Sequence, residues 1–192
     1  MPTHPAPAHD LAGWHVIITR PVGTGAALAA QVRRRGGTPV LLPGLSLRPA
    51  ADAAAAREAL REALAGDALL IFTSPAAVAY AAALLPLQTR ATVLAVGRGT
   101  ARRLARHGLA AQTPRRQDSE GLLDEPALGD LRGRRVAVVG APGGRGLLQA
   151  QLTRRGALLR ELHVYRRTAP RLGRRHAEAL AGLPARSAVL LS

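Results

Sequence analysis

An α/β fold with mostly parallel strands is predicted by three features of the 192-residue chain. Strand-like apolar runs alternate with helix-like runs, the joins between them are short and rich in Gly, Pro, Ser and Thr, and one strand–loop–helix–strand stretch recurs. In that recurrence His15–Leu42 aligns without gaps on Arg135–Leu162. Val16 meets Val136, Gly23 meets Gly143, Leu28 meets Leu148, and the stop Arg34-Arg35-Gly36 meets Arg154-Arg155-Gly156. Leu69–Ser74 (LLIFTS) likewise resembles Ser187–Ser192 (SAVLLS). Duplication of one α/β unit accounts for both matches, and a complete second copy would need roughly 60 residues beyond Ser192, so a C-terminal truncation is expected.

The elements follow in order. Residues 1–10 are Pro/Ala-rich, lack the apolar core of a signal peptide, and read as a flexible tail. His15–Thr19 is a buried-type strand, and a glycine-bearing loop leads to a helix over Ala26–Arg35. That helix is stopped by Gly36-Gly37, with arginines in the last turn where cations suit the dipole. Thr38–Leu47 is extended and punctuated by Pro39 and Pro43. Helix Ala53–Ala65, strand Ala68–Phe72, helix Pro75–Leu85, strand Ala91–Val96 and helix Arg98–His107 follow. Strand Arg135–Val139, helix Gly146–Arg155 and strand Leu158–Tyr165 complete the clear part, with a further strand at Ala188–Leu191. Residues 68–89 carry no charge and are long enough to span a bilayer. Thr73-Ser74-Pro75 interrupts them between a β-type and a helix-type half, so strand, turn and helix is the expected reading, without a membrane span.

Composition removes several chemistries. There is no cysteine, hence no disulfide, thiolate nucleophile, zinc ribbon or iron–sulfur cluster, and a cysteine-free chain suits a reducing cytoplasm. There is no lysine, hence no Walker-type phosphate loop and no Schiff-base enzyme. No two of the six histidines stand three or four apart, so a metal site is not expected. Aromatics are 2% of the chain, so the core must rest on Ala, Leu and Val. Net charge is +15, and all 27 basic residues are arginine. The surplus could mean nucleic acid, but scattered in helix-ending pairs without aromatics for stacking the arginines read rather as solvated helix faces, although the field would draw in a polyanion.

In parallel sheets the ligand sits beyond the carboxyl ends of the strands. Those ends here are Thr19-Arg20-Pro21, Thr73-Ser74-Pro75, Val96–Thr100 and Gly140–Gly146, each a strand-to-helix join with free amides, small hydroxyls and an occasional arginine. Such joins hold anions, or else Ser74 and Thr100 merely cap helices and the glycines merely make tight turns. Dinucleotide fingerprints fail: Arg102 stands where Gly97-Arg98-Gly99 needs a third glycine, and Pro142 where Gly140–Gly146 needs its middle one.

The segments VIITRP (16–21), LLIFTSPAAV (69–78), AVGRGTARRLARHG (95–108), DSEGLL (118–123), VAVVGAPGGRGLLQAQLTRRGA (136–157) and HVYRRTAP (163–170) resemble, in order and spacing, the uroporphyrinogen-III synthase family. The resemblance implies two duplicated, flavodoxin-like parallel-sheet domains joined by two extended linkers. Residues 11–40 plus 171–192 would form one incomplete domain, 50–162 the other, and 41–49 and 163–170 the linkers. It implies a cofactor-free lyase that closes the polycarboxylate hydroxymethylbilane into uroporphyrinogen III, with ring D inverted and water released. It also implies a cytoplasmic monomer binding neither membrane nor nucleic acid. By resemblance Tyr165 is the candidate proton donor. Thr73, Ser74, Gly97, Thr100, Ser119, Gly121 and Arg145 would hold acetate and propionate groups, with Arg20 doing so from the other domain. The alternative is a non-enzymatic basic α/β module that binds polyanions or nucleic acid.

Overall fold

A computed structural model describes residues 10–143 and 146–191. The chain forms two compact units, one from residues 1–47 with 167–192 and one from 48–166.

The first unit holds β1 (His15–Ile18), α1 (Ala26–Arg34), β2 (Thr38–Leu41), α7 (Arg174–Ala181) and β9 (Ser187–Leu190). Its sheet runs β2-β1-β9 and is parallel throughout, His15 standing beside Thr38 on one side and Ser187 on the other. A small core of Val16, Ile18, Ala29 and Val32 packs with Leu11 and Leu28. None of the α7 side chains is buried.

The second unit contains α2 (Ala53–Gly66), β4 (Leu69–Phe72), α3 (Pro75–Leu84), β5 (Thr92–Ala95), α4 (Arg98–Ala105), α5 (Ser119–Leu123), β6 (Arg135–Gly140), α6 (Leu147–Arg154) and β7 (Leu158–His163). Its four strands lie in the order β5-β4-β6-β7, all parallel. β4 is central, and Leu69, Leu70, Ile71 and Phe72 are all fully buried. A continuous apolar run is what a strand covered on both faces requires, and each side chain contributes about 1.5–3 kcal/mol of burial. Leu69 and Ile71 join Leu94, Val136 and Val138 against α5 and α6, while α2, α3 and α4 cover the opposite face. The uncharged run at 68–89 is thus β4, a two-residue join and α3. Among the described residues no helix is long and apolar enough to cross a membrane.

Local chemistry explains the helix starts. Asp52 accepts the Ala55 N–H at 2.9 Å at the head of α2, and Ser74 accepts the Ala77 N–H at 3.0 Å at the head of α3, with Pro75 in the first turn.

Three segments differ from the sequence expectation. Thr38–Leu47 is two strands, β2 and β3 (Ser46–Pro49), interrupted at Pro43, whose ring leaves no N–H for a ladder. The run Leu158–Tyr165 divides at Val164 into β7 and β8 (Tyr165–Thr168), and β8 pairs with β3 in a separate two-stranded sheet. The helix α5 and a 3-10 turn at Pro126–Leu128 lie in a stretch where no element was expected. The expected tail at 1–10 falls almost wholly outside the described residues.

Candidate functional site

The carboxyl ends of β4, β6 and β7 gather the polar groups of the second unit. Ser74 follows β4 in extended backbone, and its hydroxyl has two partners: it accepts the Ala77 N–H and lies 3.2 Å from the Tyr165 hydroxyl. Tyr165, placed just beyond β7 by the Val164 N–H bond to the Gly140 carbonyl, is 3% exposed. Its ring stacks on Tyr80 of α3, with centroids 5.4 Å apart and planes inclined by 15°. Thr73 donates from both its N–H and its hydroxyl to the Val139 carbonyl, each at 3.1 Å. This draws the Thr73 hydroxyl against Gly140, where a Cβ would stand 2.6 Å from Thr73 Oγ1. A side chain at Gly140 would therefore have to displace the Thr73 hydroxyl or part β4 from β6.

At the end of β5, Gly97 caps α4 in extended backbone without a side-chain bond. Gln117 supplies the missing acceptor, its Oε1 taking the Arg98 N–H at 3.0 Å. Thr100 is buried within α4, its side chain withdrawn from solvent. Ser119 opens α5, and Gly121 is buried in it. The Gly121 N–H is already taken by the Asp118 carboxylate at 2.7 Å, which also accepts Arg116 Nε at 2.9 Å. A side chain at Gly121 would sit 2.1 Å from the Arg116 carbonyl oxygen, so close approach of backbone is what this glycine provides. Arg98 and Arg166 are exposed.

Arg20 belongs to the first unit, where it lines a cavity of about 190 Å³ with Gly25, Leu41, Arg175 and His176. Arg145 lies outside the described residues. Tyr80 and Gln117 take part in this geometry without having been singled out from the sequence, while Gly140 and Asp118 stood there only within the quoted segments Gly140–Gly146 and DSEGLL, with no role of their own. Asp118 had a local signal, an acidic residue three before a glycine amide at a helix start. Gln117 had none, because its partner lies 19 positions away.

The opposite end of the same sheet is ionic. Asp67, its side chain 1% exposed, stands 3.7 Å from Arg135 Nε and 3.8 Å from Arg160 Nε. Burial pushes its carboxyl above the usual range, and the two arginines pull it back. A groove of about 550 Å³ beside it, lined by Arg135, Thr153, Leu158 and Arg160, is remote from the hydroxyl cluster. Among the described residues no three His, Cys, Asp or Glu side chains converge as metal ligands would.

Open parallel sheets whose polar groups gather at the strand carboxyl ends define the α/β class in which ligand crevices form at that edge. A family model described as uroporphyrinogen-III synthase HemD matches residues 26–191; the chain belongs to the uroporphyrinogen-III synthase family. Uroporphyrinogen-III synthase of Escherichia coli is 32% identical over 163 residues, covering 80% of this chain and 65% of that protein. The Salmonella typhimurium protein of the same name matches to the same extent. The chain thus spans about two thirds of the length of these relatives. In fold it is similar to a mutant uroporphyrinogen III synthase from Thermus thermophilus, with TM-score 0.62, 24% identity, and 82% and 64% of the two chains covered. It is also similar to uroporphyrinogen-III synthetase from Helicobacter pylori, with TM-score 0.52, 14% identity, and 87% and 68% covered.

Proposed function

We propose that this chain carries the chemistry its family is named for, the closure of hydroxymethylbilane to uroporphyrinogen III with ring D inverted and one water released. The observation that supports this most is the buried Tyr165 hydroxyl held 3.2 Å from Ser74 Oγ at the carboxyl edge of the sheet, in a chain of this family. The phenol O–H can donate to the departing hydroxyl of ring A. The C–O bond breaks, the oxygen leaves as water with that proton, and the substrate becomes an azafulvenium cation. The cation is attacked by the substituted carbon of ring D, and the bond from that carbon to its original bridging methylene then breaks. The freed methylene rejoins at the unsubstituted carbon of ring D, and the proton lost there balances the one that left with the water. Most of the work is positioning, because unassisted closure gives the uninverted isomer.

In this reading Thr73 and Ser74 meet substrate carboxylates at the end of β4, and Arg20 and Arg145 add guanidinium forks suited to them. Gly97, Thr100, Ser119 and Gly121 shape and support the edge. For Thr100 and Gly121 the support is through packing, since one side chain is buried and the other residue's amide is engaged by Asp118. The +15 charge would speed capture of a polycarboxylate. We further assign the two units to duplicated domains, with 41–49 and 163–170 as the linkers, in a cytoplasmic monomer that needs no cofactor.

The test is the ratio of uroporphyrin isomers formed from enzymatically generated hydroxymethylbilane, with and without the purified chain. Isomer III above the spontaneous background is expected. Tyr165→Phe should lower its rate by about tenfold or more. A Tyr165→Phe protein that turns over normally would sink the assignment of the donor.

A further inference from the structure

We infer that Tyr80 is a positioning residue for the Tyr165 hydroxyl, a role that rests on the reading of Tyr165 as the proton donor. The chain contains two tyrosines, one tryptophan and one phenylalanine in 192 residues, and the two tyrosines lie face to face. Tyr80 is also conspicuous on its own helix. The sequence of α3 is PAAVAYAAAL, so every residue from Pro75 to Ala83 other than Tyr80 is a proline, alanine or valine. The one large ring of that stretch is laid against the one ring whose hydroxyl meets the helix cap.

The mechanical consequence follows from tyrosine geometry. The phenol oxygen lies on the Cβ–Cγ axis, so rotation about χ2 leaves it in place, whereas a swing about χ1 carries it away. A swing gives up the overlap with the Tyr80 ring, so the stack favours the one rotamer in which the two faces meet. Ser74, at the head of α3, meets the hydroxyl itself at 3.2 Å. One helix therefore holds Tyr165 at two points, the oxygen through Ser74 and the ring face through Tyr80. Because Ser74 is fixed in turn by the Ala77 N–H, both contacts move with the helix as one body. A hydroxyl that must deliver a proton along one direction gains from this, since misplacement lowers turnover more than it lowers binding.

The experiment compares Tyr80→Leu, Tyr80→Phe and Tyr165→Phe in the whole chain, with kcat and KM for isomer III formation. Alongside it, the Hα–Hβ couplings of Tyr165 are measured by NMR on tyrosine-labelled protein. Both Tyr80 variants leave Tyr165 as the only tyrosine, so the signal is unambiguous. Tyr80→Leu is expected to lower kcat about two- to tenfold, the range of an aromatic pair, with KM nearly constant. Its Tyr165 couplings should pass from one rotamer to an average. Tyr80→Phe, which keeps the ring, should recover most of the lost turnover and the single rotamer. Tyr80→Leu with a single rotamer and unchanged kcat would overturn the inference. So would an equal loss in Tyr80→Phe, which would assign the effect to the Tyr80 hydroxyl. Impaired Tyr165→Phe beside normal Tyr80→Leu removes only the role of Tyr80, whereas normal Tyr165→Phe removes the reading beneath it as well.

Discussion

Replacing Gly140 by alanine tests the join between the two central strands of the second unit. The glycine does not have positive φ, so alanine meets no backbone strain there and the effect is steric. Its methyl carbon would lie 2.6 Å from Thr73 Oγ1 and 3.7 Å from Thr73 Cβ, and the first distance is well inside van der Waals contact. Either β4 and β6 part or the Thr73 hydroxyl leaves the Val139 carbonyl. Overpacking of this kind costs about 1–3 kcal/mol, and loss of the hydroxyl bond adds about 1 kcal/mol. Against this, alanine reduces the freedom of the unfolded chain by about 0.4–1 kcal/mol. A net loss of about 1–3 kcal/mol is expected. Urea unfolding followed by tyrosine absorbance measures it, since Tyr80 and Tyr165 both belong to this unit while Trp14 belongs to the other. The urea midpoint should fall with an unchanged slope. Thr73→Ala removes the obstructing oxygen, so the double variant Thr73→Ala/Gly140→Ala should recover a large part of the loss. A wild-type midpoint for Gly140→Ala, or strictly additive losses in the double variant, would refute the reasoning.

Two other substitutions probe features away from the hydroxyl pair. Gly121→Ala places a carbon 2.1 Å from the Arg116 carbonyl oxygen, so α5 must lift from its loop; a loss of about 3 kcal/mol or more in urea is expected, and an unchanged midpoint would show that the loop yields freely. Asp67→Asn should change the pH dependence of stability. Because the folded protein holds the Asp67 proton more tightly than the unfolded chain, the wild-type contribution falls as pH rises through the carboxylate range. Asp67→Asn should therefore gain on the wild type as pH rises above the ordinary carboxylate value, and urea midpoints that diverge in the opposite sense would show that Arg135 and Arg160 outweigh burial.

The strands were readable because burial on both faces leaves a mark in one dimension. Leu69–Phe72 and Val136–Val139 are unbroken apolar runs, and both are strands covered from two sides. Helix starts were readable where the cap is local, as at Ser74-Pro75. The division at Val164 was not, since HVYRRT continues a strand-like pattern and only pairing with a distant segment separates β8 from β7. α5 is five residues long and is held by the Asp118 cap and by burial of Leu122 and Leu123, too short to show a periodicity. At the candidate site, Thr73 and Ser74 were legible as polar residues ending an apolar strand. The Tyr80 contact was not, because Tyr80 and Tyr165 lie far apart in the chain and a ring on an alanine-rich helix has no one-dimensional signature.

The path of the chain between its two units bears on the order in which it can fold. Residues 48–166 are contiguous, so their sheet can assemble on the ribosome as soon as β7 has emerged. β1 must wait for β9, whose backbone meets it across 171 positions where Thr19 donates to the Leu190 carbonyl. Closing so long a loop in an open chain is slow. Once the second unit has formed, its Ala50 N–H to Val164 carbonyl bond holds the two ends of that span together, and the loop still to be closed is short. If the contiguous unit forms first, a lesion that weakens it, such as a side chain at Gly140, would leave β1 and β2 paired with each other but without their third partner for longer.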